Sequence, residues 1–156
     1  QFNGIKSQLD ELLTNHIKIN KIRRIIFTGH SLGGALATLA AYHYASSKLN
    51  DNILHSCITF GSPKVGNKSF SHDFDSLVDL TTSDRFENKD DVVCWFPLHY
   101  PYTHVGKCSQ ILFCQEVAVN TNTTIMYWFR KIKLLIKQIF ENHSIDGYIT
   151  ALLNRS

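Results

Sequence analysis

The chain contains no apolar run long enough to cross a bilayer as a helix. It also lacks any long run of one charge sign. With 16 Lys and Arg against 13 Asp and Glu, the net charge of +3 is too small to argue for a nucleic-acid partner. No internal repeat and no low-complexity linker divides it, so residues 1–156 are expected to form a single domain. The chain opens QFNGIKSQLDELL, without an initiator methionine or a signal-peptide pattern. That opening predicts a fragment or a processed product of a longer polypeptide. Cysteine is scarce, and the four present, Cys57, Cys94, Cys108 and Cys114, do not fix a redox compartment. Cys57, in an apolar run, reads as a reduced core residue, while Cys108 and Cys114 could pair in an oxidising compartment. Sequons at Asn67, Asn122, Asn142 and Asn154 arise by chance in an Asn-rich chain. Localisation stays open.

What the chain does have is the composition of an ordinary globular domain, 44% hydrophobic and 19% charged. Ile5, Leu9, Leu12 and Leu13 share one helical face, which predicts an amphipathic helix over about 5–16. IRRIIFT (Ile22 to Thr28) is short, β-branched and apolar toward its end, the pattern of a strand buried in a parallel sheet, and ILHSCITF (Ile53 to Phe60) reads as a second buried strand. Between them, Ser31 to Lys48 reads as a helix of small residues. Asn67 to Leu77 reads as a helix, Thr81 to Glu87 as a more polar strand, and Cys108 to Val119 as a strand or hairpin. Ile125 to Phe140 follows as a cationic, aromatic-rich helix and Asp146 to Leu153 as a short final one. Strands alternating with helices imply an α/β sheet with right-handed crossovers.

The informative stretch is FTGHSLGGALATLAAYHYA, Phe27 to Ala45. G-x-S-x-G alone is modest evidence, but here it follows a buried strand and opens a helix, the setting in which the spacing has a mechanical reason. Ser31 must then occupy a strained backbone conformation at a sharp strand-to-helix turn. Gly29 and Gly33 are expected where side chains would collide across that turn. Gly34, Ala35 and Ala37 would keep the helix close to the sheet. The helix start directs its N–H groups and positive dipole end toward the serine, which favours a developing oxyanion. The bland reading is that Ser31 merely caps a helix, but a cap needs no glycine on both sides.

At this point the chain resembles a family. IIFTGHSLGGALATLAA, CITFGSPKVGNKSF, FENKDDVV, YPYTHVGK and HSIDGY look like successive landmarks of the class 3 lipases, the fungal-type lipases of the α/β-hydrolase fold. The resemblance runs from about Gln8 to Leu153. It implies an α/β-hydrolase-type, mainly parallel sheet with helices on both faces, expected here to lack its N-terminal strands. It also implies a Ser–Asp–His carboxylic ester hydrolase acting on lipid esters of the acylglycerol type.

A serine hydroxyl needs a histidine to take its proton, and that histidine needs a carboxylate to fix its tautomer. The order in this fold is Ser, Asp, His. Asp90 and Asp91 are the first candidates for the acid; Asp91, standing before Val92 and Val93, matches the family position. Cys94 replaces the family's usual proline. Among histidines after the acid, His143 in HSIDGY matches the family base, and His104 in YTHVG matches a scaffold position near the site. His30, inside the motif, is read as a surface or core-edge residue, with a lining role in an acyl pocket as the lesser alternative. The backbone N–H of Leu32 is the expected oxyanion donor. The family's second donor loop, an arginine-glycine-threonine landmark, falls upstream of Gln1, and its absence keeps a rival reading alive: a weak or inactive hydrolase-like binding or assembly module. A zinc site on His99, His104, Cys108 and Cys114 is a further rival, although the spacing is not a usual paired pattern. No metal or organic cofactor is required by the mechanism. IMYWFRKIKLLIKQIF, residues 125–140, is read first as a helix packed on the sheet. A peripheral contact with a lipid surface is its sharper alternative.

Overall fold

The computed structural model describes residues 2–20, 22–47, 52–88, 90–111 and 143–153. Four strands, β1 (Arg24–His30), β2 (Leu54–Phe60), β3 (Asp84–Asn88) and β4 (Cys108–Ile111), form one sheet in the order β1-β2-β3-β4. Every pairing is parallel. Helix α1 (Phe2–Asn20) precedes the sheet, α2 (Leu32–Ser46) links β1 to β2, and α3 (Lys68–Leu77) links β2 to β3. A 3-10 turn (Val92–Trp95) follows β3, and α4 (Ile145–Leu153) is the last described element.

The strand ladder explains where sequence-based boundaries shift. β1 begins two residues later than expected and runs on to His30, because the β1–β2 ladder continues until His30 stands opposite Phe60. β3 starts at Asp84 rather than Thr81 because the preceding residues form a turn held by one aspartate. The Asp79 carboxylate accepts hydrogen bonds from Thr81 N (3.0 Å) and Thr82 Oγ1 (2.7 Å), and its carbonyl accepts from Ser83 Oγ (2.7 Å). Those groups are therefore spent locally and not in the ladder. α3 begins after Asn67, whose side-chain oxygen accepts from Phe70 N at 3.0 Å as an N-cap. α1 is longer than the 5–16 expected, and its predicted apolar stripe is only partly covered: Ile5 and Leu12 are exposed. Of the expected strand Cys108 to Val119, only Cys108–Ile111 falls among the described residues. The expected helix over 125–140 lies outside them, as does Cys114.

Side chains alternate across a strand, so odd and even positions of β2 face opposite ways. Cys57 points to α2 and α3, where Ala37, Ala41, Phe74, Val78 and Val105 complete a buried cluster. Phe60, three positions on, faces the other side, where it stacks on Phe86 (5.2 Å between ring centroids) and meets Tyr148 of α4. Helices thus cover both faces, as an α/β-hydrolase sheet requires. The small side chains of α2 let it lie close: Ala41 is fully buried, and a Cβ on Gly34 would meet Ser62 Cβ at 2.8 Å.

Candidate active site

The strand-to-helix junction after β1 holds Ser31 at φ 56°, ψ −127°, and it is the one non-glycine residue with positive φ among the described residues. Such a conformation costs on the order of 1–3 kcal/mol and persists only where the surroundings fix it. Here they do. Ser31 N donates to Phe60 O across the ladder (2.9 Å), and Ser31 O accepts from Gly34 N (3.0 Å) and Ala35 N (3.2 Å). The Ser31 side chain makes no capping hydrogen bond, which sets aside the bland reading of a helix cap. Its hydroxyl is used elsewhere. The turn is tight at Gly29, where a Cβ would stand 2.3 Å from Gly33 O. Gly33 corrects the expectation of symmetry: a Cβ there meets nothing within 4 Å, because the residue already lies on the outer side of α2. Leu32 N is the first amide of α2 and has no acceptor within the helix, so it is available at the serine.

Parallel strands bring the loops after β1, β2 and β3 to one edge of the sheet. Ser31, Asp91 and His143 meet there. His143 Nε2 lies 2.8 Å from Ser31 Oγ, and His143 Nδ1 lies 2.9 Å and 3.0 Å from the two carboxylate oxygens of Asp91. The carboxylate can only accept, so Nδ1 carries the proton and Nε2 is left as an acceptor for the serine O–H. Asp91 is fully buried yet well supplied with donors: Val93 N reaches Oδ1 at 2.9 Å and Tyr148 Oη reaches Oδ2 at 2.7 Å. Tyr148, also fully buried, accepts in turn from Asn88 N at 2.9 Å. Burial, followed by the neighbouring Cys94 and the Asp91 carboxylate, pushes its phenol far above the ordinary value, so the hydroxyl keeps its proton and remains a donor.

The alternatives weighed from sequence sit elsewhere. Asp90 is an exposed turn residue beside the buried Asp91. His104 donates Nε2–H to Cys94 O at 2.7 Å. Burial, and then the Arg85 guanidinium, lower its pKa to about 4, so it is neutral at pH 7 and its 3.2 Å approach to Glu87 is not an ion pair. Arg85 pairs with Glu87 instead. Cys94, in the position of the family's proline, is buried, and its thiol is pushed up to about 12 by burial and the Asp91 charge. Among the described residues no group of three or more His, Cys, Asp or Glu side chains is arranged to hold a metal ion.

Three residues at this edge escape sequence reasoning. Tyr148 carries a signal only in hindsight, as the aromatic of HSIDGY. Gly61 reads in the sequence as a strand stop, but its φ of 56° and its position are specific: a Cβ would lie 2.6 Å from Asp91 Oδ2 and 3.2 Å from His143 Nδ1. His30, expected at the surface or core edge, lies over the ring of His143 with centroids 4.8 Å apart.

A serine at a strand-to-helix elbow, hydrogen-bonded to a histidine and a buried aspartate at the C-terminal edge of a parallel sheet, is the arrangement of the α/β-hydrolase fold. Within that fold the chain belongs to the class 3 lipase family, whose model, Lipase (class 3), matches residues 1–100. Phospholipase A1-II 1 of Oryza sativa subsp. indica is 38% identical over 103 residues, covering 59% of this chain and 26% of that protein. Lipase ZK262.3 of Caenorhabditis elegans is 42% identical over 99 residues, covering 62% of this chain and 28% of its own length. The chain therefore spans about a quarter of the length of each of these two relatives. Among solved structures, the lipase from Rhizopus microsporus var. chinensis superposes with a TM-score of 0.61 at 31% identity, covering 70% of this chain and 38% of that one.

Proposed function

We propose that this chain carries the nucleophile, base and orienting acid of a serine esterase that hydrolyses carboxylic esters of lipids. The observation that supports it is the hydrogen-bond chain from Ser31 Oγ through His143 to Asp91, at 2.8 Å and 2.9 Å. Ser31 Oγ attacks the ester carbonyl carbon while His143 Nε2 takes its proton, and Asp91 stabilises the imidazolium that results. The N–H of Leu32 donates to the carbonyl oxygen as it becomes an anion. Collapse of the tetrahedral intermediate breaks the ester C–O bond, and the imidazolium protonates the departing alcohol. Water then attacks the acyl-Ser31 ester, giving its proton to Nε2, and the acid leaves as Ser31 recovers its hydrogen. Family membership supports a lipid ester as substrate, and the relatives named phospholipase A1 and lipase favour the acylglycerol class.

The test is covalent labelling of the full-length protein with a fluorophosphonate, followed by peptide mass mapping. The label is expected on Ser31, and Ser31→Ala is expected to abolish it. Labelling that survives that substitution removes Ser31 as the nucleophile, and an unlabelled wild type returns the hydrolase-like binding module as the reading.

A further inference from the structure

We infer that His30 is a positioning residue for the base: its ring N–H clamps the main chain of His143 while Asp91 holds that residue's side chain. The inference rests on the proposed roles of Ser31 and His143. His30 Nε2 lies 2.5 Å from the carbonyl oxygen of His143. A carbonyl oxygen only accepts, so the His30 proton must be on Nε2.

Two features make that carbonyl available and the contact consequential. Gly147 N, an early amide of α4, is capped by the Ser144 side chain (3.0 Å), and Tyr148 N donates to Ser144 O (3.2 Å). Neither of these amides therefore takes the His143 carbonyl, which turns back toward β1. The His30 ring also fills the space between the two groups that act on Asp91. It lies 4.8 Å from the His143 ring at a 34° tilt and 6.0 Å from the Tyr148 ring, edge to face.

The geometry ties the base to the nucleophile through consecutive residues. Ser31 Oγ meets the ring of His143, and the residue before it meets the backbone of His143. Asp91 alone leaves the imidazole free to swing with its main chain, because one hydrogen-bonded edge does not fix where the Cα lies. A second anchor on the carbonyl fixes it. Displacements of about 1 Å at a reacting pair cost up to about 10²-fold in rate, so loss of this anchor should appear in kcat and not in KM.

Ester hydrolysis by the full-length protein, with p-nitrophenyl butyrate as substrate, tests this on four variants. His30→Phe keeps an aromatic ring against His143 and removes the donor. His30→Gln places an amide N–H near the position of Nε2, whereas His30→Asn, one methylene shorter, cannot reach the carbonyl. Ser31→Ala controls for the reaction itself. We expect His30→Phe and His30→Asn to lower kcat by about 10–100-fold with KM within about threefold, and His30→Gln to recover most of the loss. A His30→Phe enzyme at wild-type kcat overturns the inference, as does a His30→Gln enzyme no better than His30→Asn. Should the Phe variant fail to fold, the Gln and Asn pair decides on the same criterion. If Ser31→Ala keeps full activity, the proposed reaction is at fault and not the clamp.

Discussion

The two faces of the sheet are built from opposite materials. On one, α2 and α3 close over Ala37, Ala41, Cys57, Phe74, Val78 and Val105, small or aliphatic groups around one buried phenyl ring. On the other, the described cluster is one tyrosine with Phe60, Phe86 and Leu152, and it borders a buried carboxylate. Ile26 and Leu54 of that second face are more than half exposed among the described residues. The first face is mostly apolar, with Thr38, His55 and Thr59 as buried polar groups among its hydrophobic residues, and its close packing presses the start of α2 against the sheet, which helps hold Ser31 in its strained backbone. The second face contributes less apolar burial but carries the polar groups that address the serine. Stability and chemistry are thus divided between opposite sides of the same strands.

That division can be broken or sharpened by substitution. The largest effect is expected at Asp91→Asn, which keeps the shape of the side chain but presents an N–H where His143 needs an acceptor. We expect kcat to fall by about 10⁴-fold, measured by single-ester kinetics alongside a thermal melt that shifts far less. Next comes Gly29→Ala, on the strained turn. The new methyl must displace the backbone of Gly33, so unfolding free energy should drop by about 3 kcal/mol, read from the urea midpoint. A drop below 1 kcal/mol would mean that the turn is looser than its geometry. Tyr148→Phe strips one donor from Asp91 and one acceptor from Asn88 N in a buried place. The expected cost is about 1–3 kcal/mol, with a kcat loss that a stability-only residue would not produce. The smallest effect, and the one of opposite sign, is Gly33→Ala. In open space on a helix it should gain roughly 0.5–1 kcal/mol. Together the two glycine variants test whether the motif's symmetry in sequence is a symmetry in structure.

Much of this is legible in the sequence because it depends on neighbours along the chain. The β-branched run of β1, the apolar run of β2 and the small residues of α2 each state their local structure. Ser31 is legible because its strand, its turn glycine and its helix are contiguous. Asp91 and His143 are not local in that sense, and they are nameable only through family landmarks, with Asp90 and His104 beside them as competitors. The structure separates these pairs by burial and by partner. The aspartate-held turn at 79–83 hides the start of β3, since threonine and serine there score as strand while their hydroxyls are spent on Asp79. His30, Gly61 and Tyr148 are illegible for a different reason. Their meaning lies in contacts with residues far away along the chain, such as Tyr148 with Asn88 and His30 with His143, at separations of 60 and 113.

Those separations carry a consequence for biogenesis. The serine is at position 31, and the histidine that would arm it lies 112 residues later. A ribosome extends a chain at about 5–20 residues per second and domains fold as units, so Ser31 exists for several seconds as an ordinary alcohol before its base is made. On the proposed mechanism, the nascent chain would be unable to attack esters during that interval, however complete β1 and α2 have become. On the proposed roles, reactivity of Ser31 toward a covalent probe would mark the arrival of the segment that carries His143, and it could serve as a timer for assembly of this edge of the sheet.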